Sequence, residues 1–325
     1  MKNKLSILII TFFIALVTAA CGIGNSTSKE NVNKETNETT TASAEATKEL
    51  TIKHQLGETV VPKNPQKVVV FDFGILDSLD KLDVPVLGVP QANIPPYLSK
   101  YEDSSYENVG SLKEPDFEKI YSLAPELIII SGRQTDAYEE LSDIAPTVFL
   151  GVDTTRYMDS YKENMTALGE IFGKEDQVKT ELGNVEKAIN TLHEKASALD
   201  KTSLIILTNE GNISAYGPGS RFGILHDQFG FTPADDSIEV STHGQNVSFE
   251  YIMEKNPDYL FVIDRGAAVE GESSAKTLLD NDLMKQVKAV KEDNVIYLDP
   301  NYWYLSGGGL TSVSEMVKEV EKVLE

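Results

Sequence analysis

"FEKIYSLAPELIIISGR" occupies residues 117–133, and "FEYIMEKNPDYLFVIDR" occupies residues 249–265. Aligned without a gap, the two segments share Phe117/Phe249, Glu118/Glu250, Ile120/Ile252, Pro125/Pro257 and a closing Arg133/Arg265. Each reads as a short helix ended near a proline, followed by a continuous apolar run of the kind that forms a strand buried on both faces. A unit repeated 132 residues apart predicts two similar α/β lobes. Both copies end on arginine, and the chain holds only four arginines (133, 156, 221 and 265) against 25 lysines. Arginine is therefore not this chain's generic surface charge.

The flanking sequence extends the pattern. "KVVVFDFGILDSLDKLDVPVLGV" from residue 67 alternates strand, helix and strand, and "APTVFLGVD" closes the first half with another strand. "SLIILT", "YLFVID" and "VIYLD" supply strands in the second half, and "FGIL" recurs at 73–76 and 222–225. Between the halves, Val178, Leu182, Val185, Ile189, Leu192, Ala196 and Leu199 fall at spacings of three and four, the stripe of one amphipathic helix over 174–199. At 1.5 Å per residue it spans about 39 Å, enough to run along two lobes. The expected fold is α/β: two Rossmann-like lobes, 50–173 and 200–325, joined by a single long α-helix, with a ligand cleft between them. Ligands of open α/β sheets sit beyond the carboxyl ends of the strands, where Arg133 and Arg265 fall.

The amino-terminal residues predict the compartment. Lys2 and Lys4 precede an apolar run from Leu5 to Val17 that ends in "TAAC", the pattern of a secretory leader over 1–20. Cys21 is the only cysteine, so no intramolecular disulfide is expected. Its placement resembles a bacterial lipoprotein signal, which implies diacylation at Cys21 and stable anchoring by two acyl chains. Residues 21–49 then read as a solvated tether with almost nothing that could enter a core. Removing Lys2 and Lys4 with the leader takes the formal charge from −22 to −24, which argues against nucleic acid as a partner.

Against that acidic background, positive charge gathered in a cleft is a deliberate feature. Arg221 lies in "AYGPGSRFG", a tight glycine–proline turn without the lysine and spacing of a phosphate loop. Together Arg133, Arg221 and Arg265 suit one shared anion site, because guanidinium donates to paired oxygens and stays charged when desolvated. A surface ion pair is the alternative for each. "LDPNYWYLSGGG" (298–309) places Tyr302, Trp303 and Tyr304 after a strand, as a cleft wall or as packing beneath a flexible loop. His243 lies in the polar loop "STHGQN", whereas His54, His193 and His226 read as structural or surface residues. No nucleophile elbow "GxSxG" or metalloprotease "HExxH" is present, so binding without catalysis is expected.

Three stretches, "FDFGILDSLDKLDVP" (71–85), "YENVGSLKEPDFEKI" (106–120) and "DPNYWYLSGGGL" (299–310), resemble the bilobal binding lipoproteins of bacterial iron-siderophore ABC importers. Within that family they are similar to the branch that binds catecholates, including petrobactin. The resemblance implies that Arg133, Arg221 and Arg265 grip a ferric catecholate, and that His243 and Tyr304 ligate iron directly when the siderophore offers fewer than six donors. It implies that Glu118 and Glu250 dock, one per lobe, onto an ABC permease dimer. It further implies a monomer on the extracytoplasmic face of the cell membrane, with the iron complex as ligand and no intrinsic cofactor. Trp303 and Tyr304 are expected to stack on catechol rings and support the guanidiniums, and Tyr302 to be a further ligand-binding residue. A haem, cobalamin or hydroxamate receptor on the same fold, and a lipid-anchored hydrolase, are the alternatives. The single joining helix predicts a modest closing motion.

Overall fold

A computed structural model describes residues 49–324; the leader, Cys21 and all but the last residue of the tether lie outside the described residues. The hairpin β1 (Glu49–His54) and β2 (Gly57–Pro62) leads into the first lobe. There follow β3 (Val68–Val70), α1 (Phe73–Lys81), β4 (Gly88–Val89), β5 (Glu107–Asn108), α2 (Phe117–Leu123), β6 (Leu127–Ile130), α3 (Tyr138–Ser142) and β7 (Thr147–Phe149). The five strands β3–β7 form one parallel sheet in the order β5-β4-β3-β6-β7. Every residue of β3 and β6 is buried, as two-sided cover by helices requires.

Two helices then pack side by side, α4 (Tyr157–Phe172) and α5 (Glu175–Ser197), with Gly173 between them in the left-handed region at φ 63°. The helix expected over 174–199 is α5, and Val178, Val185, Ile189, Leu192 and Ala196 of its stripe are buried. The second lobe contains β8 (Thr202–Asn209), β9 (Asn212–Tyr216), α6 (Ile224–Asp227), β10 (Thr232–Pro233), β11 (Gln245–Asn246), α7 (Phe249–Lys255), β12 (Tyr259–Asp264), α8 (Arg265–Val269), α9 (Ala275–Leu279), α10 (Lys288–Lys291) and β13 (Val295–Leu298). Its sheet runs β11-β9-β8-β12-β13, with β10 beside the start of β8.

The repeat is visible as structure. α2 starts after Asp116, whose carboxylate accepts from the Lys119 amide, and α7 starts after Ser248, whose hydroxyl accepts from the Tyr251 amide. Each runs seven residues and ends on a left-handed residue, Ala124 at φ 46° or Asn256 at φ 47°, directly before the shared proline. β6 then pairs with β3, and β12 pairs with β8, in parallel.

The second sheet is not wholly parallel. β9 turns back on β8 through Glu210 (φ 49°) and Gly211 (φ 83°), a two-residue hairpin turn needing positive φ at both positions. The carboxyl end also departs from the expected boundary of a lobe over 200–325. The last long helix, α11 (Leu310–Glu321), packs on α1 and α5 instead of on the second sheet. The Leu310 amide donates to the Ser78 hydroxyl (2.9 Å), and the Thr311 and Ser312 amides donate to the two oxygens of Asp77 (3.1 and 3.0 Å). The three amides that open α11 are thus capped by side chains of the first lobe's α1. Gly74 and Gly309 permit this approach, because a Cβ on either would collide with the facing segment. The triple glycine at 307–309 is therefore a packing junction, not a flexible loop.

Candidate ligand-binding site

Arg133 follows the carboxyl end of β6 and Arg265 the carboxyl end of β12, each braced by a buried polar residue. In the first lobe Gln134 accepts from the Ser131 amide (3.1 Å) and donates to the Leu112 carbonyl. In the second, Asp264 accepts from the Ser274 and Ala275 amides (2.8 and 2.9 Å) and from the Ser273 hydroxyl (3.0 Å). Arg221 emerges from the glycine turn after β9.

All three side chains converge on Tyr304. It lies in a π-helical turn, Asn301–Ser306, that follows β13 and closes on Gly307 at φ 36°. One terminal guanidinium nitrogen each of Arg133 and Arg221 donates to the Tyr304 carbonyl, at 2.8 and 2.7 Å. Arg265 Nε donates to the Tyr304 hydroxyl at 3.1 Å, and another of its nitrogens donates to Asn209 Oδ1 at 2.7 Å. The Arg221 guanidinium lies 4.3 Å and that of Arg133 5.9 Å from the centre of the Tyr304 ring. Tyr304 is thus gripped at its main chain, its ring face and its phenol.

The charge balance is the chemical content of the site. Among the described residues, the arginines with ion-pair partners are Arg156 and Arg265. Arg133 and Arg221 have none, yet both are partly buried and share one neutral acceptor. Burial, and next the charge of Arg133, push the Arg221 guanidinium below the usual arginine range. Burial would raise the Tyr304 phenol; the charge of Arg221, the hydrogen bond from Arg265 and the charges of Arg265 and Arg133 outweigh it and hold the group below the usual tyrosine range. Two guanidiniums without a counter-charge form a site that an anion with several oxygens would satisfy. A cavity of about 380 Å³ elsewhere, between the end of β1, β7 and α4, has no such unspent charge. Arg156 there pairs with Glu163 and with Asp153 (3.7 Å), and Lys53 pairs with Glu58 (3.3 Å).

The remaining expected residues are placed as follows. Tyr302 is half-buried on the same turn, its ring 4.8 Å from that of Tyr97. Trp303 requires a correction: it is 2 % exposed, donates its indole N–H to Glu319 (2.9 Å) and meets Phe229 edge-on, so it supports the turn from beneath and cannot stack on a ligand. His243 lies exposed in the loop before β11, its carbonyl accepting from the Tyr216 hydroxyl at 3.0 Å. No group of three or more His, Cys, Asp or Glu residues suited to hold a metal occurs among the described residues. Glu118 and Glu250 are exposed in the first turns of α2 and α7. Sequence reasoning missed Asn209, which steers Arg265, and Asp77, which anchors α11. For Asn209 the hairpin pair "NEGN" was the available signal.

Comparison with known proteins agrees with this geometry. A family model described as periplasmic binding protein matches residues 68–302. The chain is 52 % identical over 327 residues to the petrobactin-binding protein YclQ of Bacillus subtilis, covering 99 % of each. The crystal structure of YclQ superposes with a TM-score of 0.84 at 56 % identity, over 86 % of this chain and 99 % of that one. The catecholate-siderophore binding protein VctP of Vibrio cholerae superposes with a TM-score of 0.81 at 34 % identity, over 85 % and 100 %. BauB, solved with two acinetobactin molecules and ferric iron, gives 0.79 at 33 %, over 86 % and 99 %. A family match across most of the chain and a relative 52 % identical over its whole length lead to one conclusion: the chain belongs to the periplasmic binding protein family and is a solute-binding protein, not an enzyme.

Proposed function

We propose that the protein captures a ferric catecholate siderophore, of the petrobactin type, and delivers it to an ABC permease. The observation that carries this reading is that Arg133 and Arg221 both donate to the Tyr304 carbonyl while no carboxylate among the described residues pairs with either. Three dianionic catecholates around Fe(III) leave a trianion, and Arg133, Arg221 and Arg265 supply the opposing charge. Each charge-assisted contact contributes about 1.5–3 kcal/mol, about ten- to hundredfold in affinity. The names of the relatives support the ligand class. The cationic cluster disfavours haem, cobalamin or hydroxamate as guest, since none needs it.

On this reading Tyr302 and Tyr304 line the ligand, and His243 and Tyr304 are the residues available to iron left short of donors. Glu118 and Glu250, exposed at equivalent places on the two lobes, dock on the two halves of a permease dimer. Cys21 carries the lipid that holds a monomeric receptor at the extracytoplasmic face, with the lobes on 50–173 and 200–309 hinged about α5. Titration of the tryptophan emission with a panel of ferric siderophores tests the assignment. Single Arg133→Gln and Arg221→Gln substitutions are expected to weaken ferric-catecholate binding ten- to hundredfold; affinities within twofold of the parent would overturn the site.

A further inference from the structure

The turn that bears Tyr304 follows a strand of the second lobe, but its far side is held by the first. Tyr157 donates its hydroxyl to the Gly307 carbonyl at 3.1 Å. The Tyr97 hydroxyl lies 2.6 Å from the Ser306 hydroxyl and 3.2 Å from Asp77 Oδ2, and the Tyr97 ring packs on Tyr302. Asp77, 1 % exposed, is the centre of this junction, since it takes the Thr311 amide, the Ser312 amide and the Tyr97 hydroxyl. Asp77 has no cationic partner among the described residues and touches none of the three arginines. A carboxyl in that position is costly to bury. Three leucines or isoleucines of α1 fill the neighbouring core positions instead.

We propose that Asp77 is a positioning residue for the ligand site: it ties the start of α11 and, through Tyr97, Ser306 to the first lobe, and so holds Tyr304 where Arg133 and Arg221 meet. This rests on the reading of that cluster as the siderophore site. Only one oxygen pair faces three donors, so replacing Asp77 by asparagine turns an amide N–H₂ toward at least one donor and leaves it without an acceptor. Other groups that face Asp77 are Tyr97, Tyr157 and Tyr161, Tyr302 from the turn, Ser78 beside it and Ser312 on α11. Burial pushes the Asp77 carboxyl up to about 7 against the pull of its hydrogen bonds to Ser312, Thr311 and Tyr97, so it changes charge in the neutral range.

The test compares Asp77→Asn with the parent for ferric-catecholate affinity at pH 6 and pH 8, alongside Arg133→Gln. The expected result is about tenfold weaker binding by Asp77→Asn at pH 8, with the gap narrowing at pH 6, where the parent's own Asp77 is protonated. A residue that merely stabilises the fold would lower the melting temperature and leave the ratio unchanged with pH. A ratio within twofold of unity at pH 8, or one equal at both pH values, overturns the proposal. Should Asp77→Asn not fold, Tyr97→Phe keeps the ring on Tyr302 and removes only the hydroxyl; it is expected to weaken binding about threefold, and unchanged affinity overturns the proposal equally. Loss of binding in Asp77→Asn with none in Arg133→Gln would instead refute the arginine site and leave Asp77 a fold residue.

Discussion

Arg133 and Arg265 end the two copies of one motif, yet they stand in different electrostatic conditions. Arg133 bonds to a main-chain carbonyl and, among the described residues, has no acidic neighbour in ion-pair range. Arg265 is steered by Asn209 and flanked by Glu210 at 4.0 Å and Glu270 at 3.7 Å. Both glutamates are exposed, so each pairing is weak and screened. The repeat has thus conserved the position of a guanidinium at a strand end, whereas the neighbouring loops decide how much of its charge remains available. Arg133 in the first lobe and Arg221 in the glycine turn of the second present free charge; Arg265 presents charge already partly spent.

That contrast breaks most sharply if the two free arginines are removed together. Arg133→Gln with Arg221→Gln should lower ferric-catecholate affinity by more than about a hundredfold, since each contact is worth about 1.5–3 kcal/mol; isothermal titration would read it, and a loss no larger than either single variant's would mean the two do not act on one guest. Next, Arg265→Gln is expected to cost less than Arg133→Gln, about tenfold or below, and the reverse order would erase the distinction between the two copies of the motif. Replacing Glu210 and Glu270 by glutamine should sharpen it: binding of an anionic complex is expected to tighten about two- to threefold at low salt. The gain should vanish near 1 M salt, where the screening length is about 3 Å. The smallest effect concerns the helix ends, where Ala124 holds a left-handed conformation that Asn256 holds in the other copy. Ala124→Asn should stabilise the protein by a few tenths to about 1 kcal/mol in urea unfolding, because asparagine tolerates that region better; destabilisation would show that the copies are not equivalent there.

Much of the fold was legible because it rests on local patterns. The runs at 68–70, 127–130, 203–208 and 259–264 are short, apolar and bounded by breakers, and the stripe of α5 repeats for more than twenty residues. The arginine cluster was legible for a different reason, the scarcity of that residue in the chain. What escaped depends on contacts far apart in sequence. Nothing local to "NYWYLS" shows that a π turn rotates Trp303 into the core, sets Tyr302 against Tyr97 and leaves Tyr304 among the three arginines. Asp77 looks like one polar residue on an amphipathic helix until α11 arrives 235 positions later to bury it.

The return of α11 to the first lobe has a consequence for how the molecule is made. Synthesis runs from the amino end, and the apolar flank of α1 that α11 covers, with Leu76 and Leu79 among its buried residues, has to wait for nearly the whole chain to emerge. The first lobe cannot bury that flank by itself, and a closure between segments so far apart in sequence is the kind of step that leaves apolar surface exposed to aggregation. A polypeptide cut short before residue 310 would display an unfinished seam, which gives cellular quality control a simple sign that the product is incomplete.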